Sequence, residues 1–267
     1  MKGIVIAAGL GSRMGHLTDE MPKCMLPING QPLLHHTMDR MREAGCNELV
    51  VIVGYKAQHV DALDAAIVEN KEFASNNILH SLMSAEKHLH GPVMCSYSDI
   101  WVEPGIHQDL TESHKDIVIA VDEDWLPYYD GRTQHPVDEA ENVFFDDSMS
   151  IRQIGKHLRP ENAGTLRCGE FLGLWWMSDT GTRNFREHFK SLDKNLDREE
   201  PFQRAKHWRT AYITDMLQEL SDRGIEIDCA VTQRGWAELD TVEDYNRLAS
   251  VAKRQRLHSI CAPKRND

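Results

Sequence analysis

The opening stretch of the chain, MKGIVIAAGLGSRMGHLTDEMPK from Met1 to Lys23, sets the terms for all the elements behind it. Ile4 to Ala8 is a short apolar run with the β-branched content of a buried strand, and it breaks at once into Gly9, Gly11, Ser12 and Arg13. Glycines there let backbone N–H groups approach an anion closely, and Arg13 and Lys23 flank the turn with positive charge. The turn reads as a nucleoside triphosphate site, because those cations can neutralise the charge that develops when a phosphorus atom is attacked. A dinucleotide fingerprint does not fit. The glycines fall at 9, 11 and 15, and the second strand, Leu49 to Val53, ends in Gly54 and Tyr55 without a carboxylate for a ribose. No Gly-Lys-Ser/Thr is present behind the turn, so a Walker loop fails as well. The plainer alternative, a tight turn with Arg13 and Lys23 on solvated surface, suits a lone G-x-G better than one with Arg13, Pro22 and Lys23 in register.

The run Ala7-Ala8-Gly9-Leu10-Gly11-Ser12-Arg13-Met14, with Thr18, Pro22-Lys23 and Gly30-Gln31-Pro32-Leu33-Leu34, resembles the signature of the nucleotidyltransferase superfamily that joins an NTP to a phosphorylated small molecule. The similarity continues more thinly to about Leu248. The resemblance implies nucleotide contacts from Ala8, Gly9, Gly11, Ser12, Arg13 and Lys23, with Arg13 and Lys23 in the catalytic role.

Composition agrees with a soluble enzyme. The 267 residues can bury a sizeable core, and 27% charged with 41% hydrophobic residues is ordinary for a globular chain. A net charge of -12 argues against nucleic acid, which requires a basic face. An acidic protein can still take a triphosphate if a divalent cation carries the countercharge, so metal carboxylates are to be looked for. The six cysteines are scattered without a C-x-x-C pair, which suggests neither zinc nor a disulfide framework and fits a reducing cytoplasm. No apolar stretch approaches a membrane span and no signal peptide is legible. The oligomeric state is left open, a homodimer included.

Along the chain, Pro32 opens a helix with Leu33, Leu34, Thr37, Met38 and Met41 at helical spacing until Gly45. A second strand over Asn47 to Val53 precedes a helix expected from about Ala57 to Val68, with Val60, Leu63 and Ile67 facing inward. The alternation predicts a Rossmann-like α/β fold: a mostly parallel sheet with helices on both faces and ligands at the carboxyl ends of the strands. Asn76 and Asn77 before the next helix read as capping residues, or as amides that meet the edge of a base. Strands are expected at Pro92 to Tyr97 and Ile117 to Val121, and a hairpin at Val143–Phe145 and Ile151–Ile154 inside an inserted β-rich lid over the acceptor, about 122–170. Helices are expected near Asp179–Leu192 and Tyr212–Arg223, then a strand from Ile225 to Val231 and a last helix capped by Thr241. One transferase domain is expected over 1–252, with a basic tail at 253–267.

A carboxylate at the end of a buried strand, Asp99, is well placed for Mg²⁺. In WAELDT the alternation of an extended segment puts Glu238 and Asp240 on one side, a spacing that suits a shared cation. Asp99 matches the superfamily's metal aspartate, although Ser98 stands where glycine is usual, and the WAELDT motif resembles the source of the second metal carboxylate, Asp240, with Glu238 as ligand or neighbour. Either aspartate has a plainer reading as a helix cap.

The segment Asn76 to Leu82 and the lid resemble cytidylyltransferases acting on phosphocholine and phosphonates. The resemblance implies base contacts from Asn77 and Ser81 and a nucleotide contact from Ser98. It also implies an acceptor site from Asp122, Asp124, Trp125, Arg132, His135, Lys156 and Glu170. Arg132, His135 and Lys156 suit an anionic phosphonate or phosphate, Arg132 best because its planar fork takes two oxygens. Trp125, Tyr128 and Tyr129 with Asp122 and Asp124 suit an ammonium. The implied reaction is Mg²⁺-dependent transfer of CMP from CTP to 2-aminoethylphosphonate, a hydroxyalkylphosphonate or phosphocholine, with release of pyrophosphate. A sugar-1-phosphate acceptor is the enzymatic alternative, and a nucleotide-binding regulatory domain without turnover is the alternative of another class.

Overall fold

A computed structural model of the chain describes residues 1–253; the basic tail expected beyond it lies outside the described residues. The protein has a mixed α/β fold with a mostly parallel central sheet. Its strands are β1 (Lys2–Ala7), β2 (Glu48–Val53), β3 (Ala66–Glu69), β4 (Val93–Tyr97), β5 (Ile117–Asp122), β6 (Glu141–Phe145), β7 (Ile151–Lys156), β8 (Arg167–Met177) and β9 (Ile227–Thr232). They run in the order β7-β6-β8-β4-β1-β2-β3, with β5 paired to β8 and to β9. β1 is parallel to β2 and β4, β2 to β3, and β5 to β9. β8 is antiparallel to β4, β5 and β6, and β7 to β6, so only β7 and β8 run against the common direction.

Both faces of the central strands are buried, which explains why β1, β2, β4 and β5 read as continuous apolar runs. Successive residues of β1 feed opposite cores: Val5 and Ala7 join Met38, Met41 and Leu110 on one side, Ile4 and Ile6 join Leu79, Phe185 and Leu217 on the other. The first side is covered by α1 (Leu33–Glu43), α3 (Ile106–Glu112) and α6 (Val242–Lys253), the second by α2 (Ile78–Met83), α4 (Asp179–Asn195) and α5 (Ile213–Asp222). Helix punctuation agrees with the sequence. Pro32 precedes α1 and Gly45 takes φ 91 behind it. Asn77 caps α2, its side chain accepting from the Ile78 N–H. Thr241 and Asp244 cap α6 reciprocally, the Asp244 N–H donating to Thr241 Oγ1 and the Thr241 N–H to Asp244 Oδ2.

One expectation fails. Residues 57–68 are not a helix: Ala57–His59 makes a short 3-10 turn, and Ala66–Glu69 is strand β3, paired in parallel with Val50–Val53. Leu63 and Ile67, expected inward, are exposed. Lys56 and Leu63 adopt φ 50 and φ 51, left-handed conformations that a helix cannot pass through. The apolar spacing at 60, 63 and 67 imitates helical period, but pairing with the open edge of β2 satisfies this backbone instead.

The expected hairpin is present as β6 and β7, and it continues the central sheet through β8. The long strand β8 makes this possible by bending. Its first part pairs with β6 and its last part with β4, and the register on β5 shifts between Phe171 and Trp175. Gly173 sits in that interval at φ 73, where an added Cβ would lie 2.3 Å from the Tyr97 ring. Of the adjacent tryptophans, Trp175 is fully buried and Trp176 half-buried.

Candidate active site

The glycine turn leaves the carboxyl end of β1 beside that of β4, at the position where parallel sheets take ligands. Gly11 adopts φ 61 and passes the chain into a 3-10 segment, Ser12–Thr18, anchored by the buried Met14. A Cβ on Gly11 would stand 3.2 Å from that of Lys23, so the missing side chain leaves room for the lysine to reach inward.

Asp99 comes directly after β4. A two-stranded ribbon then brings in the distant carboxylates: Trp236–Glu238 pairs antiparallel with Ile100–Val102, and the Leu239 N–H donates to the Asp99 carbonyl at 2.7 Å. This ribbon closes the gap between the two aspartates. Lys23 Nζ lies 2.5 Å from Asp99 Oδ2 and 2.9 Å from Asp240 Oδ1. Arg13 Nη2 is 2.5 Å from Asp240 Oδ2, which also lies 2.9 Å from His135 Nδ1. Burial alone would push the Lys23 ammonium down, but the carboxylates of Asp240 and Asp99 outweigh it and hold its pKa above the ordinary lysine value. Burial would likewise raise Asp240; Lys23, His135 and Arg13 together hold it well below the usual carboxylate range. Glu238 is raised, by burial first and then by the neighbouring charge of Asp240.

The cleft has two lobes that meet at Gly9, Lys23, Tyr97 and Asp99. The smaller, about 120 Å³, is lined by Ala8, Gly11, Asn77, Ser81 and Ser98 among others. The larger, about 290 Å³, includes Arg13, His135, Lys156, Glu170, Glu238 and Asp240. Ser12 lines neither. Asn77 is both a helix cap and a wall of the small lobe, its Nδ2 donating to the Thr210 carbonyl at 3.1 Å.

Of the acceptor residues named from the sequence, the structure brings His135, Lys156 and Glu170 to the large lobe and places the others elsewhere. Asp122 is fully buried and accepts from Trp236 Nε1 at 2.7 Å and from the backbone of Arg234 and Asp124, so it anchors the ribbon. Asp124 lies outside the cleft lining, and Trp125 is buried edge-on against Tyr129, lining a separate groove with Leu158. Arg132 has its guanidinium between the rings of Tyr128 and Tyr129 and is ion-paired to Glu238 at 2.7 Å and Asp244 at 3.0 Å. Nε and Nη2 are held by these carboxylates, Nη1 has no hydrogen-bond partner, and the residue does not line the cleft.

Tyr97, Glu139, Glu141 and Tyr212, to which the sequence assigns no role, all line the large lobe. Glu139 pairs with Lys156 at 3.0 Å, while Glu141 accepts from Thr214 Oγ1 at 2.9 Å and its pKa is raised by burial to about 7. Glu139 closes a short 3-10 turn and Glu141 opens β6, so their i, i+2 spacing repeats that of Glu238 and Asp240 in sequence without the strand alternation that picked those out. Tyr212 precedes α5 and stacks its ring 4.8 Å from Lys156 Nζ; nothing in its local sequence marks it.

The family model described as the MobA-like NTP transferase domain matches residues 3–167, a span that contains the glycine turn, Lys23 and Asp99. The chain belongs to this family. The transferase is 24% identical to the CTP:phosphoglutamine cytidylyltransferase of Campylobacter jejuni, over 91% of this chain and 97% of that one. It is 26% identical to the CMP-5'-(3-aminopropyl)phosphonate synthase of Streptomyces rubellomurinus, over 84% of this chain and 37% of that one. The solved structure of a CTP:phosphocholine cytidylyltransferase from Streptococcus pneumoniae superposes with a TM-score of 0.66 at 18% identity, covering 94% of this chain and 98% of that one, which shows a shared fold. The protein is a nucleotidyltransferase, and no helix among its described residues is long and apolar enough to cross a membrane.

Proposed function

We propose that the protein transfers CMP from CTP to a small phosphonate or phosphate-ester acceptor and releases pyrophosphate. The observation that carries this reading is the position of Lys23 Nζ between Asp99 and Asp240, at the junction of the two lobes. The names of the C. jejuni and S. rubellomurinus relatives support cytidine as the base and an anionic phosphorus group as the acceptor.

The donor set fits magnesium. Asp99 and Asp240 already present oxygens to one common cation, the Lys23 ammonium, and a hard divalent ion prefers such an all-oxygen site. When bound there, the ion would polarise the phosphoryl oxygens of the nucleotide. The remaining work falls to the chain's own residues. Gly9 and Gly11 allow close backbone approach to the triphosphate, and Arg13 and Lys23 neutralise charge on it. Asn77 and Ser81 offer an amide and a hydroxyl to the base from the small lobe. An oxyanion of the acceptor forms the new P–O bond at the α-phosphorus as the bond to the β-phosphate oxygen breaks, and pyrophosphate leaves with that electron pair. A phosphonate or phosphate is already ionised at neutral pH, so no general base is needed and catalysis is alignment with charge stabilisation.

Incubating the protein with CTP, Mg²⁺ and, separately, 2-aminoethylphosphonate, a hydroxyalkylphosphonate, phosphocholine and a sugar 1-phosphate tests the reading. Pyrophosphate release with one of the first three supports it. Release only with the sugar phosphate, or from another NTP, replaces it.

A further inference from the structure

Asn70, the residue after β3, is buried behind the wall of the small lobe and does not line it. Its backbone N–H donates to the Val53 carbonyl at 2.8 Å, and its side chain joins two residues that do line the lobe, Asn76 and Ser81. The orientation of this amide is decided by a neighbour that can only donate. The Glu72 N–H lies 3.0 Å from Oδ1, so Oδ1 is the acceptor and Nδ2 is turned to Asn76 and Ser81.

Both hydrogens of Nδ2 are thereby engaged, one by Asn76 Oδ1 and one by Ser81 Oγ, each at 2.9 Å. Asn76 returns one N–H to Asn70 Oδ1 at 3.3 Å, which fixes its amide as well and leaves it one N–H and one lone pair. Ser81 has less choice. Its Oγ accepts from Asn70 and gives its single proton to the Asn77 carbonyl at 3.1 Å, so what it has left is a lone pair. Turning the hydroxyl outward to donate would break the bond to Asn77, and moving the side chain would strand a buried Asn70 N–H. Toward the lobe, Ser81 is an acceptor.

We propose that Asn70 is a positioning residue for base selection: by holding Ser81 as an acceptor, it makes the small lobe prefer a pyrimidine with an exocyclic amine over one with a carbonyl at the same place. Cytosine presents an N–H there, whereas uracil presents an oxygen that would meet a lone pair. The inference rests on the proposed function in taking a pyrimidine nucleotide as the occupant of the small lobe. It adds the cause of the choice, in a residue that itself touches no nucleotide.

Binding of CTP and of UTP, each with Mg²⁺ and without acceptor, is measured by isothermal titration calorimetry for the full-length wild type, Asn70→Ala, Ser81→Ala and the double variant. Wild type should favour CTP by at least about tenfold, the size of one hydrogen bond gained against one opposed. Asn70→Ala and Ser81→Ala should each lower that ratio by about fivefold or more, and the double variant should match Ser81→Ala, because Asn70 acts through Ser81. A merely structural role for Asn70 would weaken both nucleotides by one factor, and that result overturns the proposal. Equal binding of CTP and UTP by wild type overturns it too, as does a wild-type ratio in Ser81→Ala, which decides the matter even where Asn70→Ala fails to fold. Pyrophosphate release judges the transferase reading separately: CTP binding with an unaltered ratio in the variants removes this proposal alone, and failure to bind either nucleotide removes both.

Discussion

Arg132 grips Asp244 with two nitrogens, Nε at 3.0 Å from Oδ1 and Nη2 at 3.2 Å from Oδ2. Asp244 in turn caps α6, so this pair ties the segment after β5 to the last helix. Arg132→Ala leaves Asp244 and Glu238 buried without their countercharge and should destabilise the protein by about 3–5 kcal/mol. Chemical denaturation measures this. Unchanged stability combined with a large rise in acceptor KM would return Arg132 to the acceptor site.

Lys23→Ala removes the cation shared by Asp99 and Asp240. Turnover should fall by roughly 10²–10³-fold, the range for losing one preorganised charge-stabilising donor. Single-turnover pyrophosphate release with saturating CTP separates this from weaker binding. Near-normal release would deny Lys23 any part in the chemical step.

Glu141 carries a pH dependence of known sign. Burial raises its folded pKa to about 7, so between the ordinary glutamate value and pH 7 the folded chain holds a proton that the unfolded chain has released. Its contribution to stability therefore falls as pH rises through that window, by on the order of 3 kcal/mol in all. Glu141→Gln should flatten that part of the profile. Unfolding free energies at pH 5 and pH 8 for both proteins give the difference, and parallel profiles would contradict it.

Gly54 directly follows β2 and packs against Ala8 at the start of the glycine turn. A Cβ there would lie 2.7 Å from the Ala8 carbonyl oxygen and 2.7 Å from Phe73 Cβ, neither of which is the far end of a flexible side chain. Gly54→Ala should cost about 1–3 kcal/mol and displace the turn, raising the KM for CTP. Thermal melting and CTP titration check the two effects, and a variant with wild-type values for both would show that the turn can yield.

The turn after β1, the strands with continuous apolar runs and the caps at Asn77 and Thr241 were legible because each is a local pattern with a local cause. Lys23, Asp99 and Asp240 were legible too, as charges at strand ends and in alternation. The acceptor segment was legible only in part: His135, Lys156 and Glu170 reach the large lobe and the other named residues do not. Asp122, Trp125 and Arg132 look the same in sequence whether they face a substrate or brace a ribbon, and only the antiparallel pairing of Trp236–Glu238 with Ile100–Val102 decides which. Residues 57–68 misled for a related reason, since an edge strand with three apolar residues at helical spacing is settled by its neighbour, not by its own period.

The bend of β8 at Gly173 binds the β6–β7 hairpin into the same hydrogen-bonded frame that carries the glycine turn. Lys156 and Glu141 keep a fixed bearing on the nucleotide end, like two jaws cut from one plate. Discrimination between short and long acceptors then becomes a matter of fixed span, to be retuned by exchanging side chains on the hairpin and not by loosening a hinge.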